Sequence, residues 1–142
     1  MNKRQKGVAI VEFALILPFL LLLSITAAEY GRAIWQYNTL TKSVRDAARY
    51  LSIQTPGTHI TQARNLVVYG NLAGSGTPLT IGLSTSNVPD PTWQTAGTGP
   101  VINTVTVRIT GYTFNSMFSS VFGIPFGAVG FSPITATMRS YL

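Results

Sequence analysis

KRQKGVAIVEFALILPFLLLLSITAAEY, residues 3–30, is the stretch from which the rest of the chain can be read. Lys3, Arg4 and Lys6 precede Gly7, and an apolar run follows from Val8 to about Ala28. At 1.5 Å per residue a helix of about 21 residues spans roughly 30 Å, the thickness of a bilayer's hydrocarbon core. The cationic flank belongs on the cytoplasmic side, which sends the C-terminal part across. The run holds one charge, Glu12, and a carboxylate there is costly unless something pairs with it. Pro18 removes one backbone donor in mid-run and is expected to kink the helix, although proline is frequent in membrane helices anyway. A cleaved secretory signal is the alternative, with Thr26-Ala27-Ala28 as its small-residue site. Against it, the run is long and helical periodicity continues through the would-be cut.

Past Ala28 the helical pattern continues. Leu40, Val44, Ala47 (or Ala48) and Leu51 form one apolar stripe. Lys42, Arg45, Asp46 and Arg49 occupy the other side, with Lys42 and Asp46 at i,i+4 spacing. Apart from Gly31 there is no breaker before Pro56-Gly57. The pattern predicts one helix from about residue 9 to 53, roughly 65 Å long, half membrane and half stalk. Tyr30, Trp35 and Tyr37 cluster where it leaves the bilayer, as interfacial aromatics do. Packing against the globular part is the other reading of Trp35 and Tyr37.

The remainder reads as a small α+β domain, residues 54–142. Thr58 or Thr61 can cap a short helix running to about Tyr69. Gly70 to Gly76 is a turn, Leu79 to Leu83 a short strand, and Ser84 to Pro100 a long loop. Val101 to Tyr112 is the clearest strand, with Val105, Val107 and Ile109 alternating against threonines and Arg108. Thr113 to Gly130 reads as an apolar loop with a helical turn. Ile134 to Tyr141 alternates again and is expected to run antiparallel to the central strand. The fold class is thus α+β, a long transmembrane-plus-stalk helix (8–28, then 29–53) packed on an antiparallel sheet of about three strands.

Composition narrows the chemistry. The 142-residue chain has a net charge of +6, but three of its ten basic residues lie before Gly7. The remaining surplus is too dispersed to argue for nucleic acid. There is no cysteine, hence no disulfide, thiolate site or cysteine nucleophile. His59 is the single histidine, in a Pro-Gly turn, without the acids or thiols that would complete a metal site. Residues 70–76 are glycine-rich but lack the Gly-Lys-Ser/Thr ending of a phosphate loop. With Asp46 and Asp90 the only carboxylates beyond Glu29, acid–base catalysis is poorly served. The expectation is a protein that is not an enzyme and needs no cofactor or metal. The stretch 114–126, with Phe114, Met117, Phe118, Val121, Phe122, Ile124 and Phe126, carries two readings: core, or a contact surface for another subunit.

Gly7 followed by Val8-Ala9-Ile10-Val11-Glu12-Phe13 resembles a type IV prepilin processing site: a basic leader (1–7), a cut after glycine, and glutamate as fifth mature residue. Val11-Glu12-Phe13-Ala14-Leu15, Leu17-Pro18, Glu29-Tyr30-Gly31-Arg32 and Ala47-Ala48-Arg49-Tyr50 together resemble the TadE-like minor pilins, or pseudopilins, of the tight-adherence (Tad, type IVc) system. The likeness covers residues 7–50, with a looser echo in Ala136-Thr137-Met138-Arg139. It implies that a prepilin peptidase cuts between Gly7 and Val8, and that Glu12 pairs with the N-terminal amine of a neighbouring subunit. Phe13, Pro18, Glu29, Tyr30, Gly31, Arg32 and Arg49 are then the motif positions on the helix.

The implied partners are other Tad pilins and the inner-membrane assembly platform. The implied place is the bacterial inner membrane, N-terminus cytoplasmic and C-terminal domain periplasmic, with entry into a surface pilus and roles in adhesion and biofilm. TadF resembles TadE over the same residues; TadG-like proteins carry a much larger extra domain, and major Tad pilins are far shorter. The competing reading, from another class, is an uncleaved single-pass anchor presenting a periplasmic binding or adhesion module, with no need for Glu12.

Overall fold

The computed structural model describes residues 3–141, with side chains from Gly7 onward. Met1 and Asn2 of the expected leader lie outside the described residues, as do the side chains of residues 3–6. The fold is α+β: one long apolar N-terminal helix, α1 (Lys3–Leu51), and a three-stranded antiparallel sheet. The helix starts earlier than the sequence pattern indicates, because Lys, Arg and Gln are good helix formers and a single glycine is tolerated. It ends at Leu51, where Ser52 donates its hydroxyl to the Arg49 carbonyl at 2.7 Å. Pro18 sits inside α1 without ending it.

The chain forms two compact units, and the division falls within α1 between Ile34 and Trp35. The first comprises residues 1–34 and 115–128. Its helical part exposes the apolar residues from Val8 to Leu23, as a lipid-facing helix must. Ser24 and Thr26, polar within this run, donate their hydroxyls to the Leu20 and Leu22 carbonyls, each at 2.8 Å. That i−4 bonding satisfies them without water. The rest of the unit is a short arm, β4 (Ser120–Val121) paired with β5 (Ile124–Pro125).

The second unit comprises residues 35–114 and 129–142. Its sheet has β2 (Ile102–Ile109) at the centre, flanked by β1 (Thr92–Ala96) and β7 (Ile134–Arg139), both antiparallel to it. Register aligns Trp93, Val105 and Met138 in one row, Val107 with Ala136, and Ile109 with Ile134. These rows meet the Leu40, Val44, Ala47, Ala48 and Leu51 stripe of α1 in a single core, joined by Ala63, Val67 and Val68 of α2 (Ile60–Tyr69). Lys42, Arg45, Asp46 and Arg49 lie on the exposed side of the helix. On the sheet's other face, Thr106 and Thr137 share a 2.8 Å hydroxyl bond. A two-residue ladder, β3 (Thr113–Phe114) with β6 (Val129–Gly130), completes the unit. Here Tyr112 donates its hydroxyl to Gln36 Oε1 at 2.9 Å, and Tyr37 and Phe131 meet edge-to-face.

Several expectations need correction. Neither Thr58 nor Thr61 caps α2: His59 holds the N-cap position at φ 58, with no side-chain cap bond. Leu79 to Leu83 is not a strand, since Leu79 N–H donates to the Val68 carbonyl and Gly82 takes φ 83, turning the chain. The supposed loop from Ser84 to Pro100 contains a 3-10 turn, Thr85–Asn87, and the third strand, β1. Prolines and glycines frame β1 closely, and the pairing that makes it a strand comes from β2. Gly97 at φ 88 permits the return, where a Cβ would stand 2.6 Å from the Pro100 carbonyl oxygen. Thr113 to Gly130 holds no helical turn but the two short ladders, because Phe122 and Gly123 both take positive φ.

Leu51 is fully buried in the core, so Leu51→Ala should destabilise the second unit by about 2–5 kcal/mol. Arg45→Ala, on the exposed side, should stay within about 0.5 kcal/mol. Denaturant unfolding of the detergent-solubilised full chain distinguishes the two.

Candidate functional site

Helical spacing gathers the N-terminal candidates on one side of α1. Gly7, Val8, Val11, Glu12 and Leu15 line a common shallow groove on the helix surface. Glu12 is exposed there among apolar neighbours. Beyond its chain neighbours and its own helical turn, no described atom lies within 4 Å of where a Gly7 Cβ would stand, so no packing among the described residues requires glycine here. Phe13 and Val8 are largely exposed as well, and Pro18 is half-buried. This face presents an acid and a ring of hydrocarbon to whatever surrounds it.

A second cluster forms where the apolar run ends. Glu29 is only 6% exposed, and its Oε1 accepts from Arg32 Nη1 at 2.9 Å. The i,i+3 spacing on α1 brings these two side chains together. Both reach further. Arg32 Nη2 donates to the Asn115 carbonyl at 3.2 Å, and the Met117 N–H donates to Glu29 Oε2 at 3.3 Å. The pair is therefore a clamp that ties the base of the 115–128 arm to the helix. Each charge is matched and hydrogen-bonded, which is the condition under which burying a carboxylate is tolerable.

The other motif positions stand differently. Tyr30 and Gly31 point away from the clamp, exposed, and Gly31 has open space around it. Arg49 belongs to the second unit, where with Ser52, Ile53, Met138, Arg139 and Tyr141 it borders a surface depression. His59 is exposed, beside Thr58 Oγ1 and the Tyr50 ring. Among the described residues no group of three or more His, Cys, Asp or Glu side chains could hold a metal ion. The sequence pattern singles out Glu29 and Arg32 and gives Met117 only as an apolar side chain, with no sign of the backbone roles of Asn115 and Met117. Those two contribute backbone atoms from 83 and 88 residues away, which no side-chain pattern announces.

The segment that carries both clusters is also the one with relatives. Residues 7–49 match the TadE-like protein family. No curated protein and no solved structure matches the chain. The TadE-like segment is α1 from Gly7 almost to its end, so Glu12, Glu29 and Arg32 fall within it and the arm falls outside. The match is thus to the helix, and what it says of the chain is a likeness to TadE-like proteins over that segment. The same segment contains the one described helix long and apolar enough to cross a membrane, consistent with membrane anchoring.

If the clamp holds the arm, Glu29→Ala should leave the Met117 N–H without its acceptor and take away the carboxylate that Arg32 pairs with. Loss of a buried, charge-assisted bond is worth about 1–3 kcal/mol. Amide exchange at residues 115–118 should accelerate accordingly, while β2 amides stay protected. Unchanged exchange in the arm would refute the clamp.

Proposed function

We propose that the chain is a minor pilin, or pseudopilin, of a Tad pilus, processed between Gly7 and Val8 and acting in pilus assembly, initiation or surface adhesion. The observation that carries this reading is the TadE-like match over residues 7–49 on a helix whose first half exposes an apolar surface broken by one acid, Glu12. A helix built only to anchor the chain needs no acid in its apolar part. Glu12 shares a face with Gly7 and Val8, so processing after Gly7 would create an amine at the start of the same face.

In a bundle of such helices, the Glu12 carboxylate of one subunit meets the Val8 amine of its neighbour. The low dielectric that makes each charge costly alone strengthens the pair. Gly7 fits the role of the residue before the cut because a bulky side chain there would obstruct a peptidase working at the membrane surface. On this reading Lys3, Arg4 and Lys6 keep the leader cytoplasmic, the second unit is periplasmic, and the partners are a prepilin peptidase, other Tad pilins and the inner-membrane assembly platform. The chain itself performs no catalysis and takes no cofactor.

Intact-mass spectrometry of the protein from its host should find a chain beginning at Val8. A mature protein still carrying residues 1–7 would overturn the processing claim. Gly7→Ala should be cut more readily than Gly7→Leu, which should accumulate as precursor.

Glu12→Leu separates assembly from anchoring. The change should favour insertion by about 2–3 kcal/mol on insertion scales and yet impair assembly. Pilus assembly that survives it intact would support the uncleaved anchor instead.

A further inference from the structure

We propose that the arm at residues 115–128 is a lipid-contacting hairpin that lies in the outer interface of the membrane, beside the point where α1 emerges. The proposal rests on the reading that residues 8–28 of α1 span the bilayer, and adds a second, independent membrane contact to it.

Three observations lead to a bilayer as the occupant. The first is height. Glu29 and Arg32 directly follow the apolar run, and their bonds to Met117 N–H and the Asn115 carbonyl fix the base of the arm at that level. Helix and arm form one compact unit, so a helix that spans the bilayer delivers the arm to the bilayer's edge. The second is charge. No Asp, Glu, Lys, Arg or His occurs from Ile109 to Met138, so nothing in the arm resists transfer into the interface. The third is what the arm displays. Met117, Phe118, Phe122 and Ile124 are 73%, 44%, 63% and 48% exposed, an unusual density of apolar surface for so short a segment.

The tip sharpens the point. Phe122 and Gly123 are the two central residues of the β4–β5 turn, at φ 51 and φ 79. A two-residue turn with both φ positive favours Asn, Asp or Gly at its first position. A bulky aromatic in the left-handed region is a strained choice with no return inside the chain, since the ring is exposed. Placed in the interface, the same ring leaves water, and burial of its apolar surface offsets the strain. The hairpin hydrogen bonds satisfy part of the arm's backbone, and Ser119 contributes its carbonyl to the Phe126 N–H at 3.1 Å, as a segment leaving bulk water requires. The other occupant, an apolar surface of a neighbouring protein subunit, is an outcome of the test.

The chain has no cysteine, so a single introduced one is uniquely labelled. Phe122→Cys, Ile124→Cys, Leu20→Cys and Ser86→Cys in the full chain, each carrying the environment-sensitive dye NBD, would be reconstituted into phosphatidylethanolamine–phosphatidylglycerol liposomes. Lipids with a nitroxide high or low on the acyl chain serve as quenchers. Ile124→Cys repeats the measurement at a position free of the Phe122 strain. The expected result is blue-shifted emission at 122 and 124 relative to 86, with greater loss of fluorescence to the shallow nitroxide than to the deep one. Leu20 should be quenched most by the deep nitroxide, and Ser86 by neither.

Water-like, unquenched emission at 122 and 124 beside a quenched Leu20 would overturn the arm proposal and leave the spanning helix standing. Blue-shifted but unquenched emission that reverts on dilution into excess lipid would assign the arm to a protein partner and equally overturn it. An unquenched Leu20 would remove the membrane reading itself, and the arm proposal with it.

Discussion

The backbone ladder of α1, continuous but for the one donor that Pro18 lacks, is the constraint on which everything else in this chain depends. In hydrocarbon there is no water to bond a free N–H or C=O, and a helix satisfies all of its groups within itself. Once that ladder has started it carries through Gly31 to Leu51 without a residue able to stop it. The same element therefore serves two solvents. Its first half shows apolar side chains all round, and from Leu40 to Leu51 the apolar side narrows to one stripe with charges opposite. The change from an all-round to a one-sided pattern marks where a helix apolar enough to cross a membrane becomes one packed on a protein core.

Two acids on that helix meet opposite fates, and the contrast explains how each can be carried. Glu29 is buried but fully engaged, with a guanidinium on one oxygen and a backbone N–H on the other. Such a pair contributes less to net stability than to geometry, because its Coulomb gain largely offsets desolvation. What it specifies is where the 115–128 arm attaches. Glu12 has no such partner among the described residues and lies exposed on the apolar surface. An acid satisfied at home is a structural device; the role proposed for Glu12 is to find its partner in another subunit. The TadE-like segment contains both.

The hydrophobic periods carried the reading of the helix and of the long strands. The stripe at Leu40, Val44, Ala47 and Leu51 and the alternation at Val105, Val107 and Ile109 are local patterns whose period is set by backbone geometry alone. Where a segment's conformation is decided by a partner far along the chain, local pattern misleads. Thr92 to Ala96 is framed by Pro89, Pro91 and Gly97 and has the composition of a loop, yet β2 recruits it as an edge strand. Leu79 to Leu83 has the apolar content of a strand but meets the end of α2 and turns at Gly82. The positive φ at Phe122 defeats any propensity argument, since aromatic residues rarely adopt it.

The sequence by itself determined that this chain has a membrane-length apolar helix with a basic flank and an isolated acid at Glu12. Those properties reside in order, length and residue type. That the fold is α+β with a central strand near residue 105 was likewise legible. Only the tertiary structure decided which segment became the third strand, that Phe122 crowns a tight hairpin, and that Glu29 and Arg32 grip backbone more than 80 residues away. Outside proline, backbone donors and acceptors are the same at every residue. Which of them a charged side chain will find is settled only when the chain has closed upon itself.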